Sequence, residues 1–197
     1  MMQEAELKFS RAPLDEGLSF DDRLPLALAV CDQLPTVSER VRLNDRNVSL
    51  LKTHALEDFQ RREVDADLEG IASEIERLDQ KLTLVTELLC DLLAAEQRIP
   101  ATVPLRLSVA GLECTLPDAL RLVVGDWTMV DLYLITTIPR PLKLLAKVVA
   151  IEEGKGVLSF ADLSDGVQSM LGRLVFRHHR REIALRRAAK DVGGDKP

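Results

Sequence analysis

The stretch PLRLSVAGLECTL, residues 104–116, reads as two short strands that meet at a glycine. Leu105, Leu107 and Val109 alternate with smaller or charged residues before the break, and Leu112, Cys114 and Leu116 do so after it. Alternation at period two puts every second side chain on one face, the pattern of a half-buried strand. Gly111 suits a turn that needs positive φ.

The same pattern extends outward. Strand-like runs follow at 120–124, 127–135, 142–151 and 157–160, separated by turn chemistry at Gly125-Asp126 and at 152–156. Several short antiparallel strands at this spacing suggest a small barrel or sandwich. Asp162-Leu163-Ser164-Asp165 opens a final helix that should run to about Ala189, with residues 190–197 fraying. Toward the N-terminus, 18–20 and 24–30 read as two further strands joining the barrel within a 1–34 segment, and Pro25 argues for an edge position in the second.

Residues 36–99 differ in kind, with no proline and one glycine, Gly70. Thr36 and Glu39 fit a capping box. A first helix should reach about Arg62, with Val37, Val41, Val48, Leu51 and Phe59 near one side. A second, about 64–98, carries the clearest periodicity in the chain; whether the two are one helix is open. With Leu68 at heptad position a, the a positions are Leu68, Ile75, Leu82 and Leu89, and the d positions are Ile71, Leu78, Val85 and Leu92. All eight are aliphatic over residues 68–92, which predicts a left-handed parallel coiled coil. The alternative is an amphipathic helix buried on its own barrel. Leu84, Leu88 and Leu93 widen the apolar face, and Leu at a with β-branched residues at d leans toward more than two strands. The expected assembly is a homo-tetramer, with Asp79 and Lys81 placed to pair across chains.

Composition narrows the function. The formal net charge of −6 argues against a polyanion as main partner, and no exposed aromatics interleave with basic residues as a nucleic-acid surface would need. The longest apolar stretch, near 24–31, is too short to insert across a membrane. Cys31, Cys90 and Cys114 are odd in number and widely spaced, which points to a reducing, cytoplasmic setting. They and His54, His178 and His179 show no metal-ligand spacing, so no metal is expected. No nucleophile–base set, phosphate loop or paired catalytic carboxylates can be argued, so no enzyme and no catalytic residue is expected. Arg173, Arg177 and Arg181 fall at i, i+4 and i+8 on the last helix. This basic face would suit an anion site, an acidic protein partner, a solvated surface, or the acidic N-terminal turns.

Residues 104–187 resemble a PilZ domain, a six-stranded β-barrel with a C-terminal helix whose usual job is to bind cyclic di-GMP. Ser108-Val109-Ala110-Gly111 resembles the family's SxxG turn; residues 124–132, 146–150 and 156–164 resemble its later strands; residues 176–181 close its last helix. The helical stretch before Pro104 is similar to an atypical, tetramer-forming branch. The resemblance implies an α+β chain with a PilZ-like barrel, a non-enzymatic regulator in cyclic di-GMP signalling, and links to motility or virulence. Ordinary members hold the nucleotide with RxxxR in the segment leading into the barrel and with (D/N)xSxxG. Here Arg106 stands at the Asp/Asn position, leaving Ser108 and Gly111, and RxxxR occurs only in predicted helices, at 42/46, 173/177 and 177/181. The resulting expectation is an oligomeric adaptor that works with other signalling proteins, takes no cofactor, and does not bind cyclic di-GMP by the usual motifs. A receptor using Arg98, Arg106 and Ser108, or a purely structural coiled-coil protein, are the alternatives.

Overall fold

The structure is a computed structural model and describes residues 7–15, 17–57, 77, 78, 80–82, 84, 85, 88, 89, 99–117, 120–134 and 140–193. Six strands are ordered along the chain: β1 (Ser19–Val30), β2 (Thr102–Ser108), β3 (Gly111–Thr115), β4 (Trp127–Leu132), β5 (Leu142–Glu152) and β6 (Lys155–Phe160). Helix α1 (Val37–Glu57) lies between β1 and β2, and helix α2 (Asp165–Gly193) follows β6. The strands close into an antiparallel barrel in the order β1-β2-β3-β6-β5-β4.

Closure depends on β1, which is one strand rather than the two expected from sequence. Ser19 to Pro25 pair with β2, and Leu26 to Val30 pair with β4. Pro25 therefore sits where the strand changes partners, not at a sheet edge. A proline has no N–H to give a ladder, and at this handover its carbonyl still accepts from Tyr133 N, at 3.1 Å. Residues 120–124 are not a strand either. Every barrel strand already has two neighbours, so no ladder is left for them. Instead Asp126 closes a tight turn, its carboxylate accepting from Val123 N at 2.9 Å and its own N–H reaching Val123 O at 3.1 Å. Leu122 from this segment is buried in the core.

The interior is aliphatic. Leu107, Leu112, Val130, Leu132, Leu142, Leu144, Val148 and Leu158 are almost fully buried, and Val167, Leu171, Leu174 and Val175 of α2 join them. Gly125 (φ 101°) and Gly154 (φ 79°) take the left-handed conformations that the two predicted turns need.

Helix α1 begins with the predicted capping box. Glu39 accepts from Thr36 N at 2.8 Å, and Thr36 Oγ1 accepts from Glu39 N at 3.3 Å. These bonds hold the Glu39 carboxyl below its usual pKa. The expected apolar side begins only at Val48, because Val37 and Val41 are exposed and Leu50 and Leu51 reach the core. Phe59 and residues 58–62 lie outside the described residues. Polar side chains hold the first half of α1 to the corner between β6 and α2. Arg40 pairs with Asp162, Asn44 donates to Asp162 O at 2.9 Å and accepts from Ser164 N at 3.1 Å. Asn47, buried, clasps the backbone of Lys143 in β5 with both amide atoms, at 2.6 and 3.1 Å.

Asp162 has a left-handed backbone, φ 56°, and α2 starts at Asp165, the last residue of the predicted opening, with Ser164 Oγ capping Val167 N at 3.3 Å. It also runs on to Gly193, past the predicted end at Ala189 and into the segment expected to fray.

Candidate functional site

The turn between β2 and β3 carries Ser108 and Gly111, and both are committed to the chain's own backbone. Ser108 is fully buried. Its hydroxyl donates to Pro13 O at 2.7 Å and accepts from Ala110 N at 3.1 Å and Gly111 N at 3.0 Å. A hydroxyl has one proton and two lone pairs, so none remains for a ligand. Gly111 is not at positive φ, contrary to expectation. A Cβ there would stand 2.2 Å from Leu158 O and 2.7 Å from Pro13 Cβ. Glycine is required by close approach of two backbones, not by turn geometry.

What lies over the turn is the segment before β1, of which residues 7–15, 17 and 18 are described. Ser10 N donates to Ser159 Oγ at 3.0 Å, and Pro13 covers Gly111. Further out, Leu7 is buried with Trp127, Leu145 and Ala161. Phe9 meets Trp127 edge to face, ring centroids 6.0 Å apart, and Lys147 Nζ lies about 5 Å from both rings. This is the true lead into the barrel. Arg98, before Pro104, lies outside the described residues. The cations of residues 7–18 are Lys8 and Arg11, three apart rather than four. Pro13, Ser159 and Trp127 were missed as parts of this site. No local pattern marks them, because their role depends on the strap crossing the barrel.

Arg106 faces outward and is paired in register with Asp21 of β1 on one side and Glu113 of β3 on the other. Its Nε donates to Ser19 Oγ at 2.9 Å. Lys155, opposite Thr115 in register, reaches diagonally to within 3.3 Å of Glu113 Oε1. The four strands thus present a band of alternating charge, Asp21–Arg106–Glu113–Lys155, beside an open groove of about 430 Å³. Opposite charges across adjacent strands stabilise a sheet. The acids on both sides offset the positive field that a phosphate would seek.

The basic face of α2 divides. Arg177 turns toward α1, its guanidinium 3.2 Å from His54 Nδ1, where Leu51, Met170 and Leu174 line a cleft of about 210 Å³. Arg173 reaches the rim of that cleft, and Arg181 is exposed. His178 stacks on Phe20, centroids 4.4 Å apart, and is a packing residue.

Of the heptad positions, Leu78, Leu82, Val85 and Leu89 are described. All are helical and exposed in the single chain, at 52%, 65%, 52% and 57%. Leu84 and Leu88 are similarly exposed, at 56% and 59%. Leu68, Ile71, Ile75 and Leu92 lie outside the described residues. Burial pushes the Cys114 thiol up to about 12, and raises Cys31 as well. Neither is a ready nucleophile. Among the described residues no cluster could hold a metal ion, and no helix is long and apolar enough to cross a membrane.

Comparison with known proteins follows the barrel and its helices. One solved structure, a pathogenic protein from Xanthomonas campestris described as a new tetrameric PilZ domain self-assembled via an unusual helical bundle, is 28% identical. It covers 86% of this chain and 91% of that chain, with a TM-score of 0.68. The PilZ domain of CeSA from a cellulose synthesizing bacterium is 20% identical, covering 38% of this chain and 74% of that one, with a TM-score of 0.30. A search of curated proteins finds no match. The family model described as "Atypical PilZ domain, cyclic di-GMP receptor" matches residues 50–188, and no catalytic family is indicated. With more than half of the chain matched, and a closed six-stranded barrel carrying a C-terminal helix, the chain belongs to the atypical PilZ domain family.

Proposed function

We infer that this chain is a non-enzymatic adaptor that assembles as a tetramer through its heptad helix, acts by protein contact, and does not hold cyclic di-GMP by the usual motifs. The observation that carries the reading is the use of Ser108 and Gly111 to dock residues 7–18 on the barrel. Replacement of the guanine-reading carboxylate or amide by Arg106 removes an acceptor that arginine cannot supply. Without an arginine pair in residues 7–18, bidentate grips on phosphate are lost as well. The assembly part is supported by the exposed apolar residues at helical positions 78, 82, 85 and 89 and by the tetrameric relative. Other signalling proteins are the partners, and a cytoplasmic setting suits the unpaired Cys31 and Cys114.

Titration calorimetry of the full chain with cyclic di-GMP tests the ligand part. Binding should be weaker than about 100 μM, equivalent to about −5.5 kcal/mol. A submicromolar constant would overturn the adaptor reading. It would favour the second reading, a receptor with a different set of contacts, for which the family's description as a cyclic di-GMP receptor speaks.

A further inference from the structure

Helix α2 is 29 residues long and uses one side of its first four turns, as far as His178, to cover the barrel. Val167, Leu171, Leu174 and Val175 point inward. Diametrically opposite, at the spacing i, i+4, i+7, i+11, i+14, stand Ser169, Arg173, Phe176, Arg180 and Ile183, all exposed. Phe176 is 51% exposed and Ile183 is 38% exposed. They lie seven residues apart, about 10 Å along the axis. Arg180 sits over the Phe176 ring, 5.8 Å from its centroid. This stripe meets the cleft that holds Arg177 only at Arg173, which stands on the rim of that cleft. From position 169 to 183 it carries no carboxylate, and the neighbouring Glu182 is half-buried with a partner of its own.

We propose that this stripe is the docking face for an acidic amphipathic helix of another protein. The inference rests on the adaptor reading and names its contact surface. A large aromatic and an aliphatic residue one heptad apart form a seam into which a second helix can set its ridge. Arginine beside an aromatic is the composition of an interface hot spot. The planar forks of Arg173 and Arg180 match carboxylates flanking the seam. A two-fold pairing of the stripe on itself does not fit, because it would set arginine against arginine. A lipid surface fits poorly, since two apolar side chains make a narrow ridge rather than the broad apolar face of an interfacial helix.

The test places a benzophenone side chain at position 176 of the full chain in its own host, with position 124 as an exposed control. Irradiation should give an adduct at 176 and none at 124, and the cross-linked segment should show helical apolar periodicity with flanking Asp or Glu. A synthetic peptide of that segment should bind the purified chain. Arg173→Glu with Arg180→Glu should weaken it at least tenfold, and replacing the peptide's acids by lysine should restore the affinity. Arg173→Gln with Arg180→Gln, which introduces no new repulsion, should weaken it in the same direction. No adduct, an adduct to lipid or to this chain itself, a segment without acids, or an affinity unchanged by both variants would overturn the proposal. The adaptor reading fails separately, by tight cyclic di-GMP binding; these variants should leave that titration and the assembly mass as they are.

Discussion

Ser108 and Pro13 are joined by a 2.7 Å hydrogen bond from a fully buried hydroxyl to a carbonyl 95 residues earlier in the chain. That bond fastens the β2–β3 turn to the segment before β1. The strap before β1 and the β2–β3 turn are held as one unit, and Gly111 provides the closeness that lets them meet.

Replacing Ser108 by Ala should lower stability by about 1–3 kcal/mol, since a buried carbonyl and two N–H groups lose their partner. Gly111→Ala should cost more, because the clash is with backbone that cannot rotate away. Urea unfolding of the full chain reads both. A Ser108→Ala midpoint equal to that of the parent would show that the strap is not fastened there.

Arg106→Asp restores the acidic position of the family's motif on paper, but should not create cyclic di-GMP binding. Ser108 remains occupied, and residues 7–18 still lack an arginine pair. It should also lower stability by about 0.2–1 kcal/mol, because an acid would stand in register between Asp21 and Glu113. Micromolar binding by this variant would mean that Arg106 alone blocks the site.

Light scattering after size exclusion should give a mass near four chains at micromolar concentration. Leu78→Asp with Val85→Asp should dissociate the assembly, since unpaired carboxylates buried in an apolar seam cost several kcal/mol each. Both side chains are exposed in the single chain, so the variant should keep its barrel, and far-ultraviolet dichroism checks this. A monomeric parent protein would remove the assembly reading.

Cys114 predicts alkaline sensitivity. Its folded pKa of about 12 lies above the ordinary 9.0 because the thiolate would be desolvated beside Glu113. A raised folded value favours the folded state fully below about 9, and the advantage is lost as pH rises toward 12. The slope in that window is about 1.4 kcal/mol per pH unit. Chemical denaturation from pH 8 to 11 should show a flatter decline in Cys114→Ala than in the parent. Identical slopes would mean that the thiol is not protected.

Much of the architecture was legible in the residues. Period-two alternation located β2, β3, β4, β5 and β6 to within a few residues, because every second side chain of a barrel strand lines the core. Thr36 and Glu39 announced the start of α1 because a capping box is local chemistry. The segment at 120–124 misled because its composition suits a strand while pairing is a property of neighbours, and the closed barrel has none to spare.

The sequence by itself determined the alternation, the caps, the heptad spacing and the absence of an Asp or Asn at 106, all of which depend on residues close along the chain. The tertiary structure alone decided that Pro25 marks a change of partner, that the lead into the barrel is residues 7–18, and that Ser108 serves Pro13. It also turned Arg177 toward His54 and left Phe176 and Ile183 facing out. Each of these is a contact between residues far apart in sequence, set by barrel closure and by which side of a helix the core claims, and no local pattern encodes it.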